Sequence, residues 1–150
     1  MMKATTMDVL SSIMTTNVMT VDVQGKMEDA LRLMVKSDVG SVIVTDNGRP
    51  VGIITERDVT RASMQGDKLL SLPVTRIMSG HLQTASPNDE IWRAFETMLK
   101  LRIRRLPVVQ EDKLVGIVTE KDLTRWVLRV FYEPNIPEEL RSLVKNTTLS

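Results

Sequence analysis

The 150-residue sequence contains no cysteine, which excludes disulfides and thiolate metal sites and accords with a reducing cytosol. Histidine is almost as scarce. His81 is the single one, so no histidine cluster can hold a metal. There is no Cys nucleophile, no GxSxG elbow and no Walker-type phosphate loop. Serines, threonines and carboxylates are present, but no spacing joins them into a catalytic constellation, and the expectation is a protein that is not an enzyme. No apolar run approaches the roughly 20 residues of a membrane span. The opening Met1-Met2-Lys3-Ala4-Thr5-Thr6 lacks the long apolar segment of a secretory signal, so the expected location is cytoplasmic. Charge of one sign is not in excess either. A net charge of +1 gives no general argument for nucleic acid or for an acidic partner.

What the sequence does have is a repeat. Gly52-Ile53-Ile54-Thr55-Glu56-Arg57-Asp58 returns 64 residues later as Gly116-Ile117-Val118-Thr119-Glu120-Lys121-Asp122. In each copy an apolar run ends at Thr, and a carboxylate follows three residues on. That pattern predicts a strand handing over to a helix. Helix N-termini offer unpaired N–H groups and partial positive charge, which suit phosphates. The Thr hydroxyl can donate to a phosphate oxygen, and the Asp carboxylate can accept from a sugar hydroxyl. The same residues at the same spacing also make an ordinary N-terminal helix cap.

In chain order, Thr6 to Ile13 reads as a short helix and Met19 to Val23 as a short strand. Met27, Ala30, Leu31 and Met34 form the stripe of an amphipathic helix. Ser41 to Thr45 and Val51 to Ile54 are strands around an Asp46-Asn47-Gly48-Arg49 hairpin turn. The helix after Thr55 is expected to run to about Gln65, ended by Gly66-Asp67. The second pass opens at Pro73, with Val74 to Met78 as its lead-in and Leu82 to Ala85 as its short strand. Ser86 is read as the cap and Pro87 as the first residue of a helix carrying Ile91, Ala94, Phe95 and Met98. Leu106 to Gln110 and Leu114 to Val118 make the second hairpin.

This predicts an α/β (α+β) fold of two β-α-β-β-α repeats, residues 7–66 and 73–127, with a linker at 67–72. Each half alone has a marginal core. Pseudo-twofold pairing, sheet to sheet, closes that core and leaves two clefts between the halves. Beyond the repeat, 128–150 reads as a helical extension: Trp126 to Tyr132 prolongs the last helix, Pro134 ends it, and Pro137 to Val144 forms another. Asn146 to Ser150 is expected to fray.

The arrangement resembles a tandem pair of CBS domains, a Bateman module, over about residues 7 to 127. The resemblance rests on Val39-Gly40-Ser41-Val42-Ile43-Val44, the Asn47-Gly48 hairpin and Gly52 to Asp58. In the second half it rests on Ile103-Arg104-Arg105-Leu106-Pro107-Val108-Val109 and Gly116 to Asp122. The resemblance implies a non-catalytic sensor that binds adenosyl ligands such as AMP, ADP, ATP or S-adenosylmethionine, with no catalytic cofactor. It places the ribose-binding carboxylates on Asp58 and Asp122 and their hydroxyl partners on Thr55 and Thr119. Phosphates would meet Arg104 and Arg105, with Arg57 and Lys121 adding charge. Thr20, Val39, Gly40, Thr84, Ile103 and Pro107 would border the ligand. A homodimer and a separate regulated protein are the implied partners.

Three other readings stand beside this one: a ligand-free interaction scaffold, an S-adenosylmethionine site, and a small nucleic-acid patch at Leu101-Arg102-Ile103-Arg104-Arg105. The cationic sulfonium disfavours Arg104 and Arg105 as neighbours, and the patch lacks interleaved aromatics. His81 reads as an exposed loop residue. Thr60-Arg61 and Thr124-Arg125 read as surface or interface residues, and the methionines as core packing.

Overall fold

A computed structural model describes residues 8–131. The first repeat comprises β1 (Thr20–Asp22), α1 (Met27–Ser37), β2 (Ser41–Asp46), β3 (Arg49–Thr55) and α2 (Glu56–Ala62). A 3-10 stretch, Ser63–Ser71, leads to α3 (Val74–Ile77). The second repeat follows with α4 (Ile91–Leu101), β4 (Arg105–Gln110), β5 (Lys113–Thr119) and α5 (Glu120–Phe131). This is the mixed α and β architecture expected of the two repeats.

Helices α1 and α4 form where the apolar period is helical. They bury Met27, Ala30 and Met34, and at the equivalent positions Ile91, Ala94 and Met98. Each large side chain so buried contributes about 1.5–3 kcal/mol. Both helices end on a left-handed residue that is not glycine, Asp38 (φ 51) and Arg102 (φ 56). In the first repeat β1 runs parallel to β2, and β2 pairs antiparallel with β3. Asn47 (φ 53) and Gly48 (φ 83) supply the two positive φ values of a tight hairpin. The second hairpin turns on Glu111 and Asp112, with φ 52 and 63, so Lys113 already belongs to β5. A register shift recurs at matching places, Val44/Thr45 and Val108/Val109.

The repeats differ at one strand. Leu82 to Ala85 does not form a strand; it is reduced to one bridge, Ala85 beside Val108. The cause is Pro107. In the first repeat the Ile43 N–H donates to the Met19 carbonyl at 3.0 Å. The position 64 residues later is proline, which has no N–H, so the corresponding bond to Gln83 cannot form. Only Ala85 stays attached, donating to Pro107 O at 3.0 Å and accepting from Val109 N at 2.8 Å.

Other expectations are corrected nearby. Residues 8–13 hold only a 3-10 turn, Leu10–Ser12, rather than a helix. Helix α4 starts at Ile91, not Pro87. Ser86 to Asp89 is instead a turn closed by Asp89 N on Ser86 O at 3.0 Å, with Pro87 at its second position, where the fixed φ suits a turn as well as a helix start. Helix α2 stops at Ala62, and the chain continues as the 3-10 stretch, broken at Gly66 (φ 80). Thr6, Pro134 and the segment 137–150 lie outside the described residues.

Two cores result, and each contains a piece of the other repeat. Leu10, Ile13 and Met14 pack with Ile91, Leu106, Val118 and Trp126 of the second repeat. Val74, Ile77 and Met78 pack with Met27, Val42 and Ile54 of the first. The lead-ins also cover the sheet edges: Thr15 exchanges two hydrogen bonds with Ile117, both 2.9 Å, and Ser79 does the same with Ile53 at 2.9 and 3.0 Å. Close approach is possible because Gly116 and Gly52 lie beneath Met14 and Met78; a Cβ on Gly116 would stand 2.7 Å from the Met14 Sδ. Strand β3 meets β5 between the repeats. Ile43, fully buried, belongs to neither core cluster. It and its counterpart Pro107 line the inter-repeat clefts.

Candidate functional site

At each strand-to-helix handover the Thr and Asp close on each other. The Thr55 N–H and hydroxyl donate to Asp58 Oδ2 at 2.8 and 3.0 Å, and the Asp58 N–H donates to Thr55 Oγ1 at 3.4 Å. Thr119 and Asp122 repeat this at 2.9, 3.0 and 3.3 Å. The cap reading is therefore realised in both copies. It uses one carboxylate oxygen only. Oδ1 of each Asp has no protein donor among the described residues, so it remains an acceptor for another hydroxyl. Asp58 is half-buried, whereas Asp122 is only 9% exposed.

Two clefts lie between the repeats. The first, about 460 Å³, takes Thr55, Arg57 and Asp58 from the first repeat. Ile103, Arg104, Arg105 and Pro107 close it from the second. The second cleft, about 440 Å³, takes Thr119 and Lys121 from the second repeat and Val39 and Gly40 from the first. Arg104 and Arg105 line it as well. Of the residues expected from sequence, Thr20 and Thr84 are not part of either lining, and Asp122 stands behind Thr119 rather than in the wall. The wall near β1 is made by the residues just before it, Val18 and Met19, and in the other cleft by Leu82 and Gln83. Sequence reasoning missed these. Their 64-residue correspondence was the available signal. His81 is exposed, as expected, yet it also lines the first cleft.

The charged groups are weakly paired. Arg104 Nε lies 3.8 Å from Glu120 Oε2, with both side chains largely exposed. Such a pair contributes little to stability and leaves the guanidinium free to change partner. Arg105 is half-buried. Its Nη2 and Glu56 Oε1 both crowd the space above Gly40, where a side chain would collide with them. No group of three or more metal-ligating side chains occurs among the described residues.

Two repeats with exchanged lead-ins and a matched pair of inter-repeat clefts define a class of tandem ligand-binding modules. The chain belongs to the CBS-domain family: the model of the CBS domain matches residues 10–65 and 74–129. It is similar to the CBS domain-containing protein YhcV of Bacillus subtilis, 34% identical over 117 residues, which are 78% of this chain and 84% of that one. Other curated relatives are longer, and the match spans 41% and 40% of two of them. Among solved structures, CBSX2 in complex with AMP superposes with a TM-score of 0.72 at 27% identity, covering 81% of this chain and 97% of that one. The CBS domain pair of protein MJ0100, in complex with 5′-methylthioadenosine and S-adenosyl-L-methionine, gives 0.72 at 25% identity, covering 80% and 99%. No helix among the described residues is long and apolar enough to cross a membrane.

Proposed function

We propose that this chain is a non-catalytic regulatory module that binds an adenine nucleotide in its inter-repeat clefts and passes the signal to a separate protein. The observation that carries the reading is the composition of each cleft. In the first, Thr55 and Asp58, with a free carboxylate oxygen, face Ile103, Pro107 and the guanidinium groups of Arg104 and Arg105 from the other repeat; in the second, Thr119, Arg104 and Arg105 face the Val39–Gly40 wall, with Asp122 behind Thr119. Asp58 and Asp122 accept from the ribose hydroxyls. Thr55 and Thr119 hold those carboxylates in place. Arg104 and Arg105 meet the phosphate, and Arg57 and Lys121 add positive charge at the rim. Val39, Gly40, Ile103 and Pro107 border the base, with Thr20 and Thr84 beyond them. The AMP complex of CBSX2 supports a nucleotide, and the MJ0100 complex supports testing S-adenosylmethionine beside it.

The reading includes a homodimer in the cytoplasm. Val35 and Leu99 occupy equivalent places on α1 and α4 and are 82% and 68% exposed, so each repeat offers one apolar helix position to a second subunit.

Isothermal titration with AMP, ADP, ATP and S-adenosylmethionine tests the reading. Saturable binding of at least one adenine nucleotide is the expected result. Flat titrations with all four would overturn it and leave an interaction scaffold.

A further inference from the structure

The two clefts draw on a single pair of cations. Arg104 and Arg105 line both. The equivalent positions in the first repeat are Gly40 and Ser41, which carry no charge, so the molecule has one such pair where its symmetry would call for two. Each guanidinium has a carboxylate in its neighbourhood, paired with it only at Arg104. Arg104 faces Glu120, which lines the second cleft. Arg105 shares the space over Gly40 with Glu56, which lines the first. Among the described residues, Arg104 and Arg105 are the only cations that a phosphate in either cleft can reach, since Arg57 and Arg102 line the first alone and Lys121 the second alone.

A second asymmetry decides which cleft wins. Asp38 and Arg102 are equivalent positions, both left-handed residues closing a helix. Arg102 lines the first cleft and Asp38 the second. Leaving the shared pair aside, the first cleft has Arg57 and Arg102 against Glu56 and Asp58. The second has Lys121 against Asp38 and Glu120. The local balance is neutral in the first and negative in the second.

We infer that the clefts are antagonistic toward phosphorylated ligands, with the Thr55–Asp58 cleft filling first and its occupancy weakening phosphate binding in the other. The inference rests on the adenosyl reading above and adds regulation to it. Bidentate guanidinium–phosphate contacts are among the stronger polar interactions, and one guanidinium cannot present the same donors to two phosphates at once. The second cleft therefore meets a phosphate with its best cations engaged and Asp38 opposing. A ligand without phosphate has no such conflict. In a cell with changing levels of charged and uncharged adenosyl compounds, the module would hold one of each, not two nucleotides.

The test compares AMP with adenosine, which differ only in the phosphate. AMP is expected to show one strong and one weak site per chain, separated by about tenfold or more, the scale of one charge-assisted hydrogen bond. The strong AMP site is weakened by about tenfold to a hundredfold in Asp58→Ala. Adenosine is expected to fill both sites with affinities within about threefold of each other. Asp38→Arg installs in the second cleft the residue that the first has, at a position where Arg102 shows that arginine accepts the left-handed backbone. It is expected to narrow the AMP gap severalfold and leave adenosine unchanged. Two AMP sites of equal affinity, or an unchanged gap in folded Asp38→Arg, would overturn the inference while keeping the adenosyl reading. Failure of both AMP and adenosine to bind would overturn the two together.

Discussion

Replacing Trp126 by alanine is expected to lower the unfolding free energy by about 3–5 kcal/mol, a large share of the 5–15 kcal/mol typical of a domain. The indole is 2% exposed in the second core. It meets Trp92 edge to face, with ring centroids 5.4 Å apart, and its Nε1 donates to Asp8 Oδ2 at 2.7 Å. Its loss would leave a cavity, remove an aromatic pair worth about 0.5–1.5 kcal/mol and strand a carboxylate. It would also loosen the lead-in, since Asp8 O accepts from Ile91 N at 3.3 Å and Leu10 N donates to Asp89 O at 3.0 Å. Urea unfolding followed by far-ultraviolet circular dichroism measures the effect. Trp126→Phe, which keeps most of the volume, is expected to lose about half as much or less. An unchanged midpoint in Trp126→Ala would show that the lead-in and the second core are not coupled through this residue.

Asp58→Ala is expected to weaken AMP binding in the first cleft by about tenfold to a hundredfold, the scale of one charged hydrogen bond to a ligand hydroxyl. It also removes one half of the capping box, the carboxylate that accepts from the Thr55 N–H and hydroxyl, while the Thr55 Oγ1 still caps the backbone N–H of residue 58. Loss of that half is expected to cost stability at the lower end of the about 0.5–2 kcal/mol that a full N-cap contributes. The two effects separate cleanly. Thermal unfolding without ligand reports the lost half of the capping box, and titration below the unfolding range reports the site. A carboxylate that only caps would cost stability and leave AMP affinity in the folded protein unchanged.

Much of the fold could be read from residue pattern because each signal there has one physical meaning. Asn47-Gly48 admits the positive φ of a two-residue hairpin, and both residues adopt it. Met27, Ala30 and Met34 repeat at helical spacing, and all three are buried. Thr55 and Asp58 sit at capping distance, and they cap. The errors fall where one residue permits two structures. Pro87 suits a turn as readily as a first helical turn, and here it makes the turn. Pro107 looks at home in an apolar strand, but its missing N–H acts on a neighbour 24 residues earlier, at Gln83. That is a pairing consequence, visible only once the strands are laid side by side.

The grouping of the candidate site residues was legible in part for the same reason. Thr55, Arg57, Asp58, Ile103, Arg104, Arg105 and Pro107 come together in one cleft, and Val39, Gly40, Thr119 and Lys121 in the other. The repeat placed them at strand ends, and the pseudo-twofold pairing joined them across the interface. Val18, Met19, Leu82 and Gln83 carry no charged or catalytic side chain, so their 64-residue correspondence was the one sequence signal of their place in the walls. The sharing of Arg104 and Arg105 is likewise a property of the pairing. Neither repeat alone contains it.

The most direct measurement is a crystal structure of the protein grown with AMP. The account predicts AMP between the repeats, its ribose hydroxyls on Asp58 Oδ1 and its phosphate on Arg104 and Arg105, with the Thr55–Asp58 cap intact behind it. Clefts that stay empty at saturating AMP, or AMP bound away from Asp58 and Asp122, would contradict it.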